Sequence, residues 1–311
     1  MTPLISIAIP CFNAERWLRV CVESVLSQTW PEKEIIVVDD GSTDDSPQIL
    51  REFGNAIRIL QTPRRGAPHA RNQALATAKG EWIQFLDADD YLEPPKIALQ
   101  LAEGTVRPDA DVLYSPVIVE VWNDGIVESR DVSPINHALD LYERWLAFQL
   151  PQTGAALWRA DSLRRIGGWD ESLACCQDTG LYLSALEAGL NFFATTSSHA
   201  VYRIWSEETL CRRDPLEVIS VRTSLVQELI RWLNQTGRLE PRHLRASGRA
   251  CLEMARTFAR HDLPGATAYF DARRAEGLLS LEGPAAPLHY RLVCSLLGFR
   301  NAERIAFMLR H

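Results

Sequence analysis

Short apolar runs alternate with amphipathic stretches along the first hundred residues. The apolar runs lie within LISIAI (4–9), EIIVVDDGS (34–42), IRILQT (57–62) and WIQFLDADD (82–90). Continuous apolar runs of this length are typical of buried parallel strands rather than of half-exposed ones. The stretches between them, at 14–28, 46–53 and 68–79, have helical spacing of apolar residues. The alternation predicts an α/β layer built on a mostly parallel sheet.

The pattern changes twice further along the chain. In the middle, 111–122 and 192–205 contain strands, NDG at 123–125 predicts a hairpin turn, and 139–149 and 178–188 predict helices. From about residue 215 every segment has helical spacing, at 215–235, 240–261, 264–277 and 287–310. We therefore expect an α/β domain over residues 1–210 and a helical region over 211–311.

Composition narrows the class of protein. The chain has 311 residues, 46% of them apolar, which is enough for a full core. A net charge of −7 argues against a general nucleic-acid binder. Seven scattered cysteines without a CxxC pair indicate reduced thiols rather than zinc ligands or disulfides. With no basic leader and no long apolar run, we expect a cytoplasmic protein that at most rests on the inner face of a membrane.

Polar clusters follow three of the predicted strands: Pro10 to Asn13, Asp39 to Ser42, and Asp87 to Asp90. In an open α/β sheet the carboxyl ends of the strands meet at one rim, where ligands bind. Three aspartates within four positions repel one another, so a metal ion, hydrogen-bond donors or water must offset the repulsion. Carboxylate oxygens together with phosphate oxygens suit Mg²⁺ or Mn²⁺.

Several motifs in order resemble one enzyme family. PCFNAERWL, VDDGSTDDS, RGAPHARNQALATAKGEW and FLDADD resemble the successive signatures of family 2 glycosyltransferases of the GT-A fold, and GGWDE with QDTGLYLSAL resembles their acceptor-side segment. The resemblance covers about residues 3–210. It implies a GT-A fold with an all-helical C-terminal extension. It also implies inverting, metal-dependent transfer from a nucleotide sugar, most simply a UDP-sugar, to a saccharide or lipid-linked saccharide. Bacterial surface-polysaccharide or lipopolysaccharide assembly is the family's common setting.

The resemblance assigns the donor side of the site. Asp87-Ala88-Asp89 resembles the family's DxD motif, with Asp87 toward the ribose and the metal and Asp89 ligating Mn²⁺ or Mg²⁺. A solvated acidic turn is the alternative. The remaining donor-nucleotide residues that the resemblance implies are Pro10, Phe12, Asn13, Glu15, Asp39 and Arg71. Asp40 is expected to cap a turn instead, and Arg64 and Arg65 fit a solvated helix face equally well.

Asp178 is the expected catalytic base, because the family's second acid at this point takes the proton of the acceptor hydroxyl. The first acid is replaced by Gln177, and Asp178 could instead serve only as a helix N-cap. A second departure is Trp205, which stands where many relatives have a histidine that holds metal or diphosphate.

Three further residues are assigned to the acceptor and the diphosphate. Trp169 and Asp170 are expected on the acceptor side, although Trp169 could equally pack in the core. Arg203 is expected to face the diphosphate. The other tryptophans considered, Trp122, Trp145 and Trp158, are expected in the core.

The C-terminal stretch HYRLVCSLLGFRNAERIAFMLRH mixes leucines with Arg291, Arg300, Arg304 and Arg310. It could contact an anionic membrane, or pack on the catalytic domain or a second subunit. Two other functions stay open for the chain. A nucleotidyltransferase would usually have a glycine-rich N-terminal loop, which PCFNAE is not. A non-catalytic nucleotide-sugar-binding relative fits the changes at Gln177 and Trp205.

Overall fold

A computed structural model describes residues 2–205 and 214–309 of the chain. The chain forms two compact units, one of Met1–Ile135 with Leu150–Ser206 and one of Asn136–Gln149 with Glu207–His311. The sequence predicts a single domain over the whole of 1–210. In the structure the short segment 136–149 belongs instead with the C-terminal helices.

The described elements follow one another along the chain as strands and helices, with two short 3₁₀ turns at 54–56 and 153–155. The strands are β1 (Ile5–Cys11), β2 (Lys33–Asp39), β3 (Arg58–Gln61), β4 (Trp82–Phe85), β5 (Tyr91–Leu92), β6 (Val112–Tyr114), β7 (Val117–Asn123), β8 (Ile126–Ser133), β9 (Ala156–Arg159), β10 (Phe192–Ala194) and β11 (Ala200–Ile204). The helices are α1 (Leu18–Leu26), α2 (Ser46–Glu52), α3 (Ala67–Thr77), α4 (Lys96–Gly104), α5 (Leu141–Leu146), α6 (Ala160–Arg165), α7 (Gln177–Glu187), α8 (Pro215–Gln235), α9 (Pro241–Phe258), α10 (Leu263–Ala275) and α11 (Leu288–Met308).

The first unit is built on a seven-stranded sheet in the order β10-β6-β9-β4-β1-β2-β3. Strands β4, β1, β2 and β3 pair in parallel, and β9 runs antiparallel between β6 and β4. The central strand β1 is buried at nearly every position because its run of apolar side chains is covered on both faces. The predicted α/β layer is confirmed, and the strand ends that carry the polar clusters lie on neighbouring strands.

A smaller four-stranded sheet, in the order β5-β11-β7-β8, completes this unit. Its hairpin between β7 and β8 turns at Asp124 and Gly125, which both have positive φ (49° and 81°). Such a pair of residues is what a tight two-residue hairpin turn requires, so the hairpin predicted from NDG is confirmed. The turn projects the end of β7, with Trp122 and Asn123, toward solvent.

The second unit is helical, as predicted, and the four helices α8 to α11 begin and end within about three residues of their expected bounds. Part of its core is formed by apolar residues of α9, α10 and α11, including Phe270, Tyr290 and Phe299. Helix α11 is interrupted at Gly298, whose φ of 76° is not helical. No helix among the described residues is long and apolar enough to cross a bilayer.

Candidate active site

The loops that follow β1 and β2 are locked together by their own side chains. Asn13 accepts a hydrogen bond from the Thr43 backbone through its amide oxygen (2.8 Å), and Glu15 accepts one from the Asp45 backbone (2.9 Å). Two of the expected nucleotide-binding side chains therefore already accept hydrogen bonds that join the loop after β1 to the loop after β2. Phe12 remains available as a platform on which the Arg64 guanidinium stacks, 4.1 Å from the ring centroid.

The two aspartates at the end of β2 have different partners. Asp39 is buried, and one of its carboxylate oxygens accepts the backbone N–H of Ser42 (3.0 Å). Asp40 accepts the backbone N–H groups of Arg65 (2.9 Å) and Gly66 (2.7 Å), just before α3 begins. The local turn is therefore capped by Asp39 rather than by Asp40, which is the cap that the sequence predicts, and Asp40 instead holds the segment before α3. The second carboxylate oxygen of Asp39 accepts no hydrogen bond from the described residues.

Arg71, on α3, joins the end of β4 to the start of α7. Its guanidinium lies 2.5 Å from Oδ1 of Asp87 and donates to Oε1 of Gln177 (3.1 Å). It also stacks on Trp169, 4.3 Å from the ring centroid. Its Nε is buried and has no hydrogen-bond partner among the described residues. Gln177 thus stands where a second acid would compete with Asp87, which is the carboxylate that pairs with this arginine in the described part of the chain.

Trp169 lies in the core, so its expected place on the acceptor side is not supported. The ring is 4% exposed, is covered by Arg71 and makes an edge contact with Phe85 (5.2 Å). Asn72 fixes the preceding turn, because its side chain exchanges hydrogen bonds with both the N–H and the C=O of Trp169. Asp170, the other expected acceptor residue, is exposed and accepts hydrogen bonds from Ser172.

Each aspartate of the acidic turn after β4 accepts at least one hydrogen bond. Arg71 bonds Asp87, the indole N–H of Trp205 bonds Oδ2 of Asp89 (2.9 Å), and the backbone N–H of Arg203 bonds Asp90 (2.8 Å). Burial, followed by the charge of Asp87, raises the pKa of Asp89. Burial, followed by the charges of Asp89 and Asp87, raises the pKa of Asp90 well above its ordinary value. The donors therefore offset only part of the mutual repulsion.

Arg203 is not placed to contact a diphosphate directly. It is 4% exposed, and its guanidinium stacks on Trp17 (4.8 Å) and Tyr91 (4.5 Å). Its Nη1 donates to the backbone oxygen of Asp89 (3.1 Å). The expectation from the sequence is corrected here, because this arginine supports the acidic turn from behind.

Asp178 lies in the first turn of α7, next to Gln177. One of its carboxylate oxygens accepts the backbone N–H of Thr179 (2.7 Å), and the side chain is half-buried. A negative charge in the first turn of a helix is favourable. The contact between Gln177 and Arg71, which also bonds Asp87, brings the start of this helix to the Asp87 end of the acidic turn.

A divalent cation fits the acidic turn. Oδ2 of Asp87 and Oδ1 of Asp89 accept no hydrogen bond from another described residue. Two carboxylates with an unrelieved repulsion suit Mg²⁺ or Mn²⁺, which take few protein carboxylates and complete their shell with water and phosphate oxygens. Within residues 2–205 and 214–309 no cluster of three acidic, histidine or cysteine side chains could hold a metal alone.

Pro10 and Ala88 are the remaining residues that the sequence predicts at the nucleotide site, and their role there stays a prediction. Pro10 lies within β1, and Ala88 packs in the apolar core. Sequence reasoning missed Trp122, which was expected in the core but is half-buried beside Trp205. Trp145 and Trp158 are in the core as expected. The hairpin turn at 123–125 was the only sequence signal that could have placed Trp122 near a surface.

Comparison with known proteins identifies the class. The fold resembles that of Staphylococcus aureus TarS in complex with UDP-GlcNAc (TM-score 0.61, 18% identity, 98% of this chain and 92% of that one). It also resembles the mannosyltransferase PcManGT of Pyrobaculum calidifontis in complex with GDP-Man and Mn²⁺ (TM-score 0.53, 18% identity, 98% and 87%). The fold is that of a GT-A glycosyltransferase, as predicted.

Sequence relatives narrow the class to a family. Residues 6–167 match glycosyl transferase family 2, and the chain belongs to that family. The chondroitin synthase of Pasteurella multocida is 41% identical over 197 residues, which are 60% of this chain and 19% of that protein. The chain therefore covers much less than two thirds of its relatives' own length. It spans 19% of this chondroitin synthase and 39% of EpsH, a putative glycosyltransferase of Bacillus subtilis. The prediction of a family 2 glycosyltransferase is confirmed.

Proposed function

We propose that this chain is an inverting, metal-dependent glycosyltransferase that uses a nucleotide sugar, with a UDP-sugar as donor. The observation that carries the proposal is the Arg71 contact set, which joins the acidic turn after β4 to the start of α7 in a family 2 domain. TarS in complex with UDP-GlcNAc supports a UDP-sugar, and PcManGT in complex with GDP-Man and Mn²⁺ supports a divalent cation.

Each residue near the acidic turn has a role in the proposed reaction. Asp178 accepts the proton of the acceptor hydroxyl, whose oxygen attacks the anomeric carbon from the face opposite the diphosphate. The bond between that carbon and the diphosphate oxygen breaks. Asp89 and Asp87 would hold Mn²⁺ or Mg²⁺, which supplies neutralisation of the leaving diphosphate when bound. Arg71 adds a fixed positive charge beside Asp87.

The acceptor is proposed from the relatives. A saccharide or lipid-linked saccharide of a surface polysaccharide or lipopolysaccharide fits a chain that is 41% identical to parts of a chondroitin synthase and a hyaluronan synthase. Because the chain spans only 19% of either protein, their polymerising activity is not transferred to it.

A peripheral membrane contact through α11 accompanies this proposal. Leu288, Leu292 and Leu296 recur every four residues and are 64–80% exposed. Arg300 and Arg304 are exposed in the part of α11 that follows the interruption at Gly298, and Arg291 is half-buried before it. Arg310, the fourth arginine of the stretch, lies outside the described residues. A segment with both exposed leucines and exposed arginines suits an anionic membrane surface, where a lipid-linked acceptor would be found.

The test of the donor site is the melting temperature of the full chain with UDP, GDP and their sugar conjugates, with and without Mn²⁺. A ligand that binds only the folded protein raises the melting temperature. We expect a Mn²⁺-dependent rise with UDP that is lost in Asp89→Ala and kept in Asp161→Ala, which removes an exposed acid. No rise with any of these nucleotides would overturn the proposal.

A second candidate, a non-catalytic nucleotide-sugar-binding relative, is favoured by one observation. The indole N–H of Trp205 donates a hydrogen bond to Oδ2 of Asp89. Many family members have a histidine near the metal at the position of Trp205. Such a protein would show the nucleotide-dependent rise but no transfer or hydrolysis of the donor.

A further inference from the structure

The end of β11 lies alongside the acidic turn that follows β4. This turn runs directly into β5, and β5 pairs antiparallel with β11 so that Val201 lies opposite Tyr91. Continuing the register along both segments brings Arg203 alongside Asp89. Arg203 donates through Nη1 to the backbone oxygen of Asp89 (3.1 Å), and Trp205 donates through its indole N–H to Oδ2 of the same residue (2.9 Å). Asp89 is therefore held at both its main chain and its side chain.

The indole that holds the Asp89 carboxylate is itself packed. Trp205 lies on the buried Trp17, with ring centroids 5.8 Å apart, and the Arg16 guanidinium is 5.7 Å from the Trp205 ring. The Arg203 guanidinium stacks on the same Trp17 at 4.8 Å. Because the ring that carries the donor is already in contact with its neighbours, it directs the carboxylate with little further loss of side-chain freedom.

The two proposed metal ligands are held in the same way, each by one oxygen. Arg71 bonds Oδ1 of Asp87 and Trp205 bonds Oδ2 of Asp89, whereas the other oxygen of each carboxylate accepts no hydrogen bond from another described residue. A carboxylate held in this way offers a single oxygen to a cation. In the described part of the chain no group of three acidic, histidine or cysteine side chains could hold a metal. The orientation of these two carboxylates therefore matters more than it would among many ligands.

We propose that Trp205 is a positioning residue for the metal site, which orients the Asp89 carboxylate so that Oδ1 is presented to the divalent cation. An indole nitrogen donates a proton and accepts none, so Trp205 cannot ligate the cation itself. A hydrogen bond to a charged carboxylate is stronger than one between neutral groups. Outer partners of this kind orient the ligands of a metal, and their loss lowers metal affinity roughly 10–100-fold. The inference rests on the proposed function, because the cation is part of it.

A competing role for Trp205 predicts the opposite effect. If the cation needed both oxygens of Asp89, the indole N–H would have to leave Oδ2 before the metal binds, and removing the N–H would strengthen metal binding. Mg²⁺ takes a near-octahedral shell, which the narrow angle between the two oxygens of one carboxylate does not give. One oxygen from each aspartate, with water and phosphate oxygens, suits that shell. The contacts of Asp89 therefore favour the positioning role.

The test measures the UDP dissociation constant of the full chain by titration calorimetry, with EDTA and at increasing Mn²⁺ concentrations. The Mn²⁺ concentration that gives half of the increase in UDP affinity reports metal affinity through linkage. Trp205→Phe keeps an aromatic ring but removes the N–H, and we expect it to raise this concentration about tenfold. The UDP dissociation constant in EDTA should stay at the wild-type value, because only the metal site has changed.

Trp122→Phe is the matched control. Trp122 also packs on Trp17, with ring centroids 5.1 Å apart, but its N–H donates to Glu120 (3.0 Å) rather than to the acidic turn. The same exchange of indole for phenyl should therefore leave the Mn²⁺ concentration as it is in the wild type. Since Trp205 is 37% exposed, its phenylalanine variant should fold. If it does not, benzothienylalanine at the position of Trp205, which has sulfur in place of the N–H, carries the same expectation.

The outcomes separate the positioning role from the donor site. Trp205→Phe that needs an unchanged or lower Mn²⁺ concentration overturns the positioning role alone, provided that Mn²⁺ strengthens UDP binding in the wild type. Wild-type protein that binds UDP equally well with Mn²⁺ and with EDTA overturns both this role and the proposed metal dependence. A tenfold rise in Trp205→Phe in a protein that transfers no sugar would support the positioning role and overturn the transferase proposal instead.

Discussion

Arg71 is the residue whose contacts assemble the site, because it bonds Asp87 and Gln177 at once. Arg71→Lys keeps the charge but removes the planar pair of donors, so one of these partners is lost. We expect roughly tenfold weaker UDP binding in the presence of Mn²⁺, about 1.4 kcal/mol, measured by titration calorimetry. Arg65→Lys, at an exposed arginine just before α3, should bind UDP as the wild type does. Equal affinity in the Arg71 variant would contradict this role.

Changing Asp178 distinguishes a catalytic protein from one that only binds the donor. If it takes the acceptor proton, Asp178→Asn lowers turnover by about 10²–10⁴-fold while UDP binding stays unchanged. Release of UDP from the donor in the presence of an acceptor measures turnover. A variant that turns over at the wild-type rate would remove Asp178 from the mechanism. Wild-type protein that binds UDP but releases none from a UDP-sugar would favour the non-catalytic alternative.

The sequence predicts the chemical character of single site residues better than it predicts which side chains they contact. The carboxylates of the acidic turn follow from a short motif, and their place at the end of a strand follows from the apolar run before it. The partners of those carboxylates come from remote segments: Arg71 from α3, and Trp205 from beyond β11. Trp169 and Arg203 looked like ligands in the sequence but are buried, because each packs against a side chain that no local pattern reveals.

At the scale of elements, apolar periodicity predicted most of the first unit because its strands are buried on both faces. The exception is β8, which is exposed at every residue. Its sequence, IVESRDVS, has no buried face to leave an apolar pattern. Backbone pairing with β7 and the ion pairs of Arg130 with Glu93 and Glu120 hold the strand instead. The smaller sheet was therefore not anticipated as a unit, and with it the position of Trp122 was missed.

Helix α5 depends on one carboxylate. Asp140 caps it by accepting the Glu143 backbone N–H (2.8 Å), and also bonds the buried His243 (2.9 Å) and Arg242 (3.2 Å). The Glu240 N–H donates to Nδ1 of His243, which leaves Nε2 as the donor to Asp140. Asp140→Ala removes the cap and leaves the buried Nε2–H of His243 without its acceptor. We expect a loss on the order of 2–4 kcal/mol of unfolding free energy, measured by urea denaturation at pH 7.

The loss of stability in Asp140→Ala should also depend on pH. Burial alone would raise the pKa of Asp140, but the Glu143 N–H, His243 and Arg242 together lower it below 3.8, the ordinary value. A lowered carboxylate pKa gives stability that is present above the ordinary value and is lost as pH falls through the lower folded value. The gap between wild type and Asp140→Ala should therefore shrink near pH 3. Asp271→Ala, which removes an exposed acid of α10, should show no such gap at either pH.

At the scale of the whole molecule, composition and periodicity predicted an α/β part followed by helices. They could not predict that residues 136–149 belong to the helical unit. The apolar pattern of a short helix such as α5 does not indicate which of two hydrophobic cores the helix packs into. The partners that decide it, Trp232 and His243 against Tyr142, lie about ninety to one hundred residues further along the chain.

The exposed leucines of α11 give the last prediction. Burying a leucine side chain contributes about 1.5–3 kcal/mol, so Leu292→Glu with Leu296→Glu should weaken membrane binding more than tenfold. Co-sedimentation of the full chain with phosphatidylglycerol vesicles measures this. Binding should also fall with added salt, because the arginines contribute through charge, and should be weak on phosphatidylcholine. Leu244→Glu, at an exposed leucine of α9, is the control. Wild-type protein that stays in the supernatant, or a double variant that sediments as the wild type does, would mean that these leucines face something other than a membrane, and a second copy of the chain would then be sought by sedimentation equilibrium.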